Sequence, residues 1–179
     1  MRCFIAINLP EDIKVEIRRI QEKFPLFLGK KTELENLHLT LKFLGEINEE
    51  KIEIIKRRLK EIKFEKFNSE ISGIGIFDNK SSGPYKRKII VWLHLKNCDK
   101  LQEIIDNKLK NLFRPEKRFM GHLTIARIKE IENKKRFIED LKNIELPSIK
   151  FNVKKFYLMK SELTEKGPKY DVLERYELK

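Results

Sequence analysis

The sequence predicts an α+β fold, a two-lobed duplicate whose antiparallel strands meet across a cleft with the helices packed outside. Two observations carry this. Helical and strand-like hydrophobic periods follow one another in the order β, α, β, α, β, β, α, β, α, β, β, and such strands can pair antiparallel. The pattern His-Leu-Thr-apolar also occurs twice, at His38-Leu39-Thr40-Leu41 and His122-Leu123-Thr124-Ile125, each time ahead of an amphipathic helix.

Met1 to Pro10 holds one apolar stretch, too short and wrongly flanked for a signal peptide, and is expected to be the first strand. Ile13, Ile17, Ile20 and Phe24 then form a helical stripe entered through Pro10. Leu37 to Phe43 alternates strictly, which puts His38, Thr40 and Lys42 on one face and Leu37, Leu39, Leu41 and Phe43 on the other. By this register Phe43 belongs to the core. Asn48 is placed to cap the next helix, with Ile52, Ile55, Leu59 and Ile62 on its apolar face.

Phe64 to Phe77 is strand-like, with Gly73 and Gly75 marking a bend or a close backbone approach. The turn-forming stretch from Asp78 to Lys86 links it to Ile89–Leu95, whose apolar run around Trp92 suggests a strand covered on both faces. His94 lies in that run and is expected to be a satisfied core residue. A third helix spans Asp99 to Phe113 and stops before Pro115. Phe119 to Ile128 alternates again, with His122 and Thr124 on one face and Arg127 opposite. A short helix from Asn133 to Asn143 follows, then strands at Ile149–Met159 and Tyr170–Leu178 about the turn Lys166-Gly167-Pro168.

The chain of 179 residues suffices for one compact unit with a real core, and no long apolar run offers a membrane span. Cys3 and Cys98 stand far apart with no second cysteine beside either, so neither zinc-knuckle spacing nor a disulfide framework is available and a cytoplasmic setting is expected. The net charge of +12 favours a polyanionic partner such as nucleic acid. A solvated surface of ion networks would use the same residues. The basic stretches Lys86-Arg87-Lys88 and Lys134-Lys135-Arg136 fit both roles.

The repeated motif carries the chemistry. Side chains two apart on a strand share a face, so each histidine has a hydroxyl beside it. Imidazole, with a pKa near 6.5, serves as base or acid near neutrality. Displacement at phosphorus needs one group to deprotonate the entering oxygen and another to protonate the departing one, from opposite sides. Thr40 and Thr124 would donate hydrogen bonds to the non-bridging oxygens, and no metal or cofactor is required. Lys42, on the face of His38, is a candidate RNA contact.

The segments Asn36-Leu37-His38-Leu39-Thr40-Leu41-Lys42-Phe43-Leu44-Gly45-Glu46 and His122-Leu123-Thr124-Ile125-Ala126-Arg127 resemble the two signatures of the 2H phosphoesterase superfamily. More narrowly, the chain resembles its RNA 2′,3′-cyclic phosphodiesterases, also called 2′-5′ RNA ligases, from Arg2-Cys3-Phe4 to Lys169-Tyr170. The resemblance implies a single bilobal domain with pseudo-twofold symmetry over residues 1–179 and a positively charged central cleft. It implies ATP-independent opening of a terminal 2′,3′-cyclic phosphate to a 2′-phosphate, with 2′-5′ ligation as the reverse reaction. In that pattern His38 is the proton donor, His122 the proton acceptor, Arg127 a phosphate-binding or cleft-supporting residue, and Tyr170 part of a C-terminal motif beside the cleft. The expected partner is RNA ending in a cyclic phosphate, tRNA fragments among the candidates, bound by a monomer. Many relatives have proline where this chain has Gly121, an exchange expected to loosen the strand. The alternative is a module that binds RNA ends without turnover.

Overall fold

The computed structural model describes residues 1–79, 88–165 and 167–179. The interior of the Asp78–Lys86 stretch, most of the Lys86-Arg87-Lys88 cluster and Lys166 lie outside the described residues.

Fourteen elements follow in chain order: β1 Arg2–Asn8, α1 Glu11–Glu22, β2 Leu28–Lys31, a 3₁₀ turn at Leu34–Asn36, β3 His38–Glu46, α2 Glu49–Lys60, β4 Phe67–Asn79, β5 Lys88–Leu95, α3 Asp99–Leu109, β6 His122–Glu130, α4 Lys134–Lys142, β7 Ile149–Val153, β8 Lys155–Thr164 and β9 Gly167–Glu177. The helices start where the sequence marks them. Pro10 precedes α1. Asn48 and Asn133 each accept an N–H of the first turn, from Lys51 and Arg136, both at 3.0 Å.

The strands form two antiparallel sheets, of order β3-β1-β8-β9 and β2-β6-β5-β4-β7. Set side by side, β3-β1-β8-β9 and β6-β5-β4-β7 repeat one arrangement, with β2 added outside β6. Each sheet contains one His-Leu-Thr strand, and β3 and β6 approach each other. The helices interlock the halves. Helix α1 leaves β1 of the first sheet yet packs on β6 and β7 of the second, and α3 leaves β5 yet packs on β3. Ile17 and Ile20 of α1 and Leu101, Ile105 and Leu109 of α3 are buried in one shared core, each side chain contributing about 1.5–3 kcal/mol.

Three elements depart from expectation. Strand β2 carries no alternation because all four of its residues are exposed, and only its backbone ladder to β6 makes it a strand. The segment expected as one strand from Ile149 is two, since the chain changes sheets at Lys154. Strand β5 is not covered on both faces: Ile89, Val91, Leu93 and Leu95 are buried, whereas Trp92 and His94 are half-buried on the other side. No described helix is long and apolar enough to cross a membrane.

Candidate active site

A β-bulge sits at the same place in both histidine strands. In β3, Thr40 pairs with Ala6 and Lys42 with Ile5, so Leu41 is the extra residue. In β6, Thr124 pairs with Trp92 and Ala126 with Val91, so Ile125 is extra. A bulge shifts every later side chain by one face, and the burial patterns of the two strands are identical as a result. The bulge in β6 is anchored: the Ile125 carbonyl accepts from the Thr32 N–H at 2.9 Å and from the buried Gln21 Nε2 at 2.8 Å.

These bulges correct three assignments made from strict alternation. Arg127 is exposed on the face of His122, not opposite it. Phe43 is not core; it is 62% exposed, on the face of His38. Lys42 is no RNA contact. It turns inward, 2% exposed, and forms an ion pair with Asp106, while also donating to the Arg114 carbonyl at 2.9 Å. Burial alone would raise the Asp106 carboxyl, but hydrogen bonds from Lys42, the Glu116 N–H at 2.7 Å and Gln102 at 2.8 Å outweigh it and hold the group below its ordinary value.

The two imidazoles are mounted alike. His38 Nδ1 lies 2.8 Å from the Asn36 carbonyl and His122 Nδ1 lies 2.9 Å from the Met120 carbonyl. A carbonyl only accepts, so each Nδ1 carries the proton and each Nε2 is left for substrate. Aromatic rings fix the planes. His38 has Phe4 and Tyr170 each at 4.9 Å between centroids, Tyr170 edge-on at 80°. His122 has Phe77 at 5.1 Å and 84°, and Trp92 at 6.5 Å. A Cβ at Gly75 would stand 2.2 Å from the Trp92 ring, so glycine there is what lets the indole lie against β4.

Burial pulls His38 down to about 4 against the upward pull of the Asn36 carbonyl, and the positive charges of Arg127 and His122 add to the downward shift. Groups from the two sheets therefore act on one another across the cleft. Burial pushes the Tyr170 phenol up, while Arg127 and Arg2 pull it partly back. Tyr170 also joins Thr124, Arg127, Lys31 and Asn36 around a cavity of about 80 Å³, so this tyrosine both packs on His38 and lines the cleft. Another hollow, about 520 Å³ between Pro25 and α4, touches none of these residues.

His94 is half-buried on the cleft face rather than in the core. It is the direct cross-strand partner of His122, and its Nδ1 is 2.8 Å from Ser72 Oγ. Gly121 directly precedes β6. Its carbonyl accepts the Leu95 N–H at 2.9 Å, and a Cβ there would meet the Leu95 oxygen at 2.4 Å, so a close backbone approach explains the glycine. Lys134 of the second basic cluster is paired with Asp78. Sequence reasoning passed over Phe4, Phe77 and Trp92 as supports of the histidine rings; the signal was in the register, since Trp92 pairs with Thr124 in the ladder.

The chain matches the LigT like Phosphoesterase family over residues 7–85 and 95–170. It is 39% identical to the RNA 2′,3′-cyclic phosphodiesterase of Methanocaldococcus jannaschii, over 98% of this chain and 100% of that protein. To the protein of the same name from Archaeoglobus fulgidus it is 35% identical, over 99% and 100%. Among solved structures, a Thermus thermophilus protein superposes with a TM-score of 0.81 at 28% identity, covering 99% of this chain and 97% of that one. Escherichia coli LigT complexed with 3′-AMP shares the fold, with a TM-score of 0.76 at 24% identity over 99% and 97%. With both family signatures mounted on matching bulged strands, this chain belongs to the LigT-like phosphoesterases.

Proposed function

We propose that the protein is an RNA 2′,3′-cyclic phosphodiesterase in which His38 and His122 act as general acid and general base on a single phosphorus, the two lobes working as one unit. The matched mounting of the two imidazoles supports it most: both have Nδ1 tied to the carbonyl two residues back, and both keep Nε2 for the cleft. The full-length relatives named for this activity point the same way.

In the forward reaction His122 Nε2 takes a proton from water as the water oxygen bonds to phosphorus. The bond from phosphorus to the 3′ oxygen breaks, and protonated His38 delivers its Nε2 proton to that oxygen, leaving a 2′-phosphate. Thr40 and Thr124 donate to the non-bridging oxygens, and Arg127 balances the charge that builds there. An anion beside His38 favours its charged form, so substrate itself raises the proton affinity that burial lowers in the empty cleft. Phe43, an exposed ring on the same face, offers a stacking surface to the terminal base. With a 5′-hydroxyl in place of water the same displacement gives 2′-5′ ligation: His122 takes the hydroxyl proton as that oxygen bonds to phosphorus, and His38 protonates the departing 3′ oxygen.

Product analysis tests the proposal: an RNA ending in a cyclic phosphate, incubated with the protein and EDTA, yields only the 2′-phosphate end. Recovery of unchanged substrate bound to the protein would favour the alternative of an RNA-end-binding module.

A further inference from the structure

A second hollow is walled by strands of both sheets. It has a volume of about 420 Å³ and lies between Asn8 and Tyr157 of the first sheet and Lys150 and Asn152 on β7 of the second, with Lys154 and Lys155 at the crossing between sheets. Its link to the active site is fixed by register on both sides. Asn8 is the cross-strand partner of His38. Tyr157 pairs with Ala6 and packs in the small apolar cluster with Phe4 and Tyr170 that supports the His38 ring. On the second sheet, His122 pairs with His94, His94 holds Ser72, and two residues along β4 Glu70 pairs with Lys150.

Three lysines line the hollow. Lys150 and Lys154 are exposed, and Lys155 meets Glu177 only at 4.0 Å. The acidic groups near it are Asp12, on its wall, Glu70, opposite Lys150, and Glu177, the cross-strand partner of Lys155. From β6 to β7 is three strand spacings, about 14 Å at roughly 4.8 Å each, more than a single nucleotide bridges. A terminal cyclic phosphate at the histidines leaves only the upstream strand to be placed.

We propose that this groove is a backbone-phosphate subsite, and that RNA upstream of the cyclic end is laid from the histidines past His94 onto Lys150, Lys154 and Lys155. The inference rests on the catalytic reading of the cleft and adds selection for oligomers over cyclic mononucleotides. Mononucleotide hydrolysis tests the catalytic reading separately.

The test uses the full chain, the variant Lys150→Ala/Lys154→Ala/Lys155→Ala, and a charge-matched control, Lys63→Ala/Lys100→Ala/Lys110→Ala, with three exposed lysines removed elsewhere. The probes are a fluorescent ten-nucleotide RNA with a 3′-phosphate, for binding across a salt series, and a cyclic-ended decamer against a cyclic mononucleotide, for kcat/KM. Each phosphate neutralised on a single strand contributes about 0.7 to the slope of log affinity against log salt, so the groove variant should show a slope flatter by about 2. Its decamer-to-mononucleotide ratio of kcat/KM should fall toward one, while the control keeps both values. An unchanged slope and ratio in the groove variant, or equal losses in the control, overturns the groove. Absence of hydrolysis of both the decamer and the mononucleotide in the wild type would refute the catalytic reading, and the salt slope would still decide the groove.

Discussion

Phe43 and Arg127 occupy equivalent places in the two lobes: each stands five residues beyond its histidine, and each reaches the cleft only because a bulge intervenes. One lobe thus presents an aromatic ring and the other a guanidinium. The repeated frame is asymmetric at this position, where the proposed function needs a stacking surface for a base and a positive charge for a phosphate.

Replacing Phe43 by Ala separates these roles. An exposed side chain of this kind carries little stability, within about 0.5 kcal/mol, whereas a lost stack costs about 1–3 kcal/mol. Steady-state kinetics on a cyclic mononucleotide should therefore show kcat/KM reduced about 5- to 150-fold with thermal stability intact. A variant with wild-type kinetics would remove the stacking role.

Replacing His38 or His122 by Ala should each lower kcat by about 10²–10⁴-fold. The double variant should fall little further, because acid and base act in one step. Strictly multiplicative losses would speak against concerted use of the pair.

The pH dependence follows from the burial of His38. Its folded value of about 4 lies below the ordinary 6.5, so between these pH values the unfolded chain takes up a proton that the folded protein refuses. This contribution is neutral above pH 6.5 and destabilises progressively as pH falls toward 4. Imidazole NMR should show His38 titrating near the lower value in the free protein and moving upward with bound inorganic phosphate. Titration near 6.5 that phosphate leaves unmoved would contradict the electrostatic account.

The ion pair of Lys42 with Asp106 is a structural brace. Asp106→Ala leaves a buried ammonium without its partner and should cost about 3–5 kcal/mol, measured by chemical denaturation. The double variant Lys42→Met/Asp106→Leu should recover most of that loss. Its RNA-binding salt slope should match the wild type, and a flatter slope would return Lys42 to the RNA surface.

Much of this was legible in the residues. The two His-Leu-Thr strands, the helices and the Asn48 cap follow from spacing and local chemistry alone. What alternation could not show is where it fails: a bulge leaves no mark in a run such as Leu39 to Leu44, and so Lys42, Phe43 and Arg127 were each assigned to the wrong face. Strand β2 was equally silent, because its four exposed residues bury nothing and its ladder to β6 is made by backbone alone. His94 looked like core because its neighbours are apolar, yet only alternate residues of β5 face inward.

The most direct test is a crystal structure with vanadate, which mimics the five-coordinate phosphorus. Nε2 of His38 and Nε2 of His122 should each lie within about 2.6–3.2 Å of oxygens on opposite sides of one vanadium, with Thr40 and Thr124 on the equatorial oxygens. Vanadate held by one histidine alone, with the other ring turned to a different group, would contradict the proposed function.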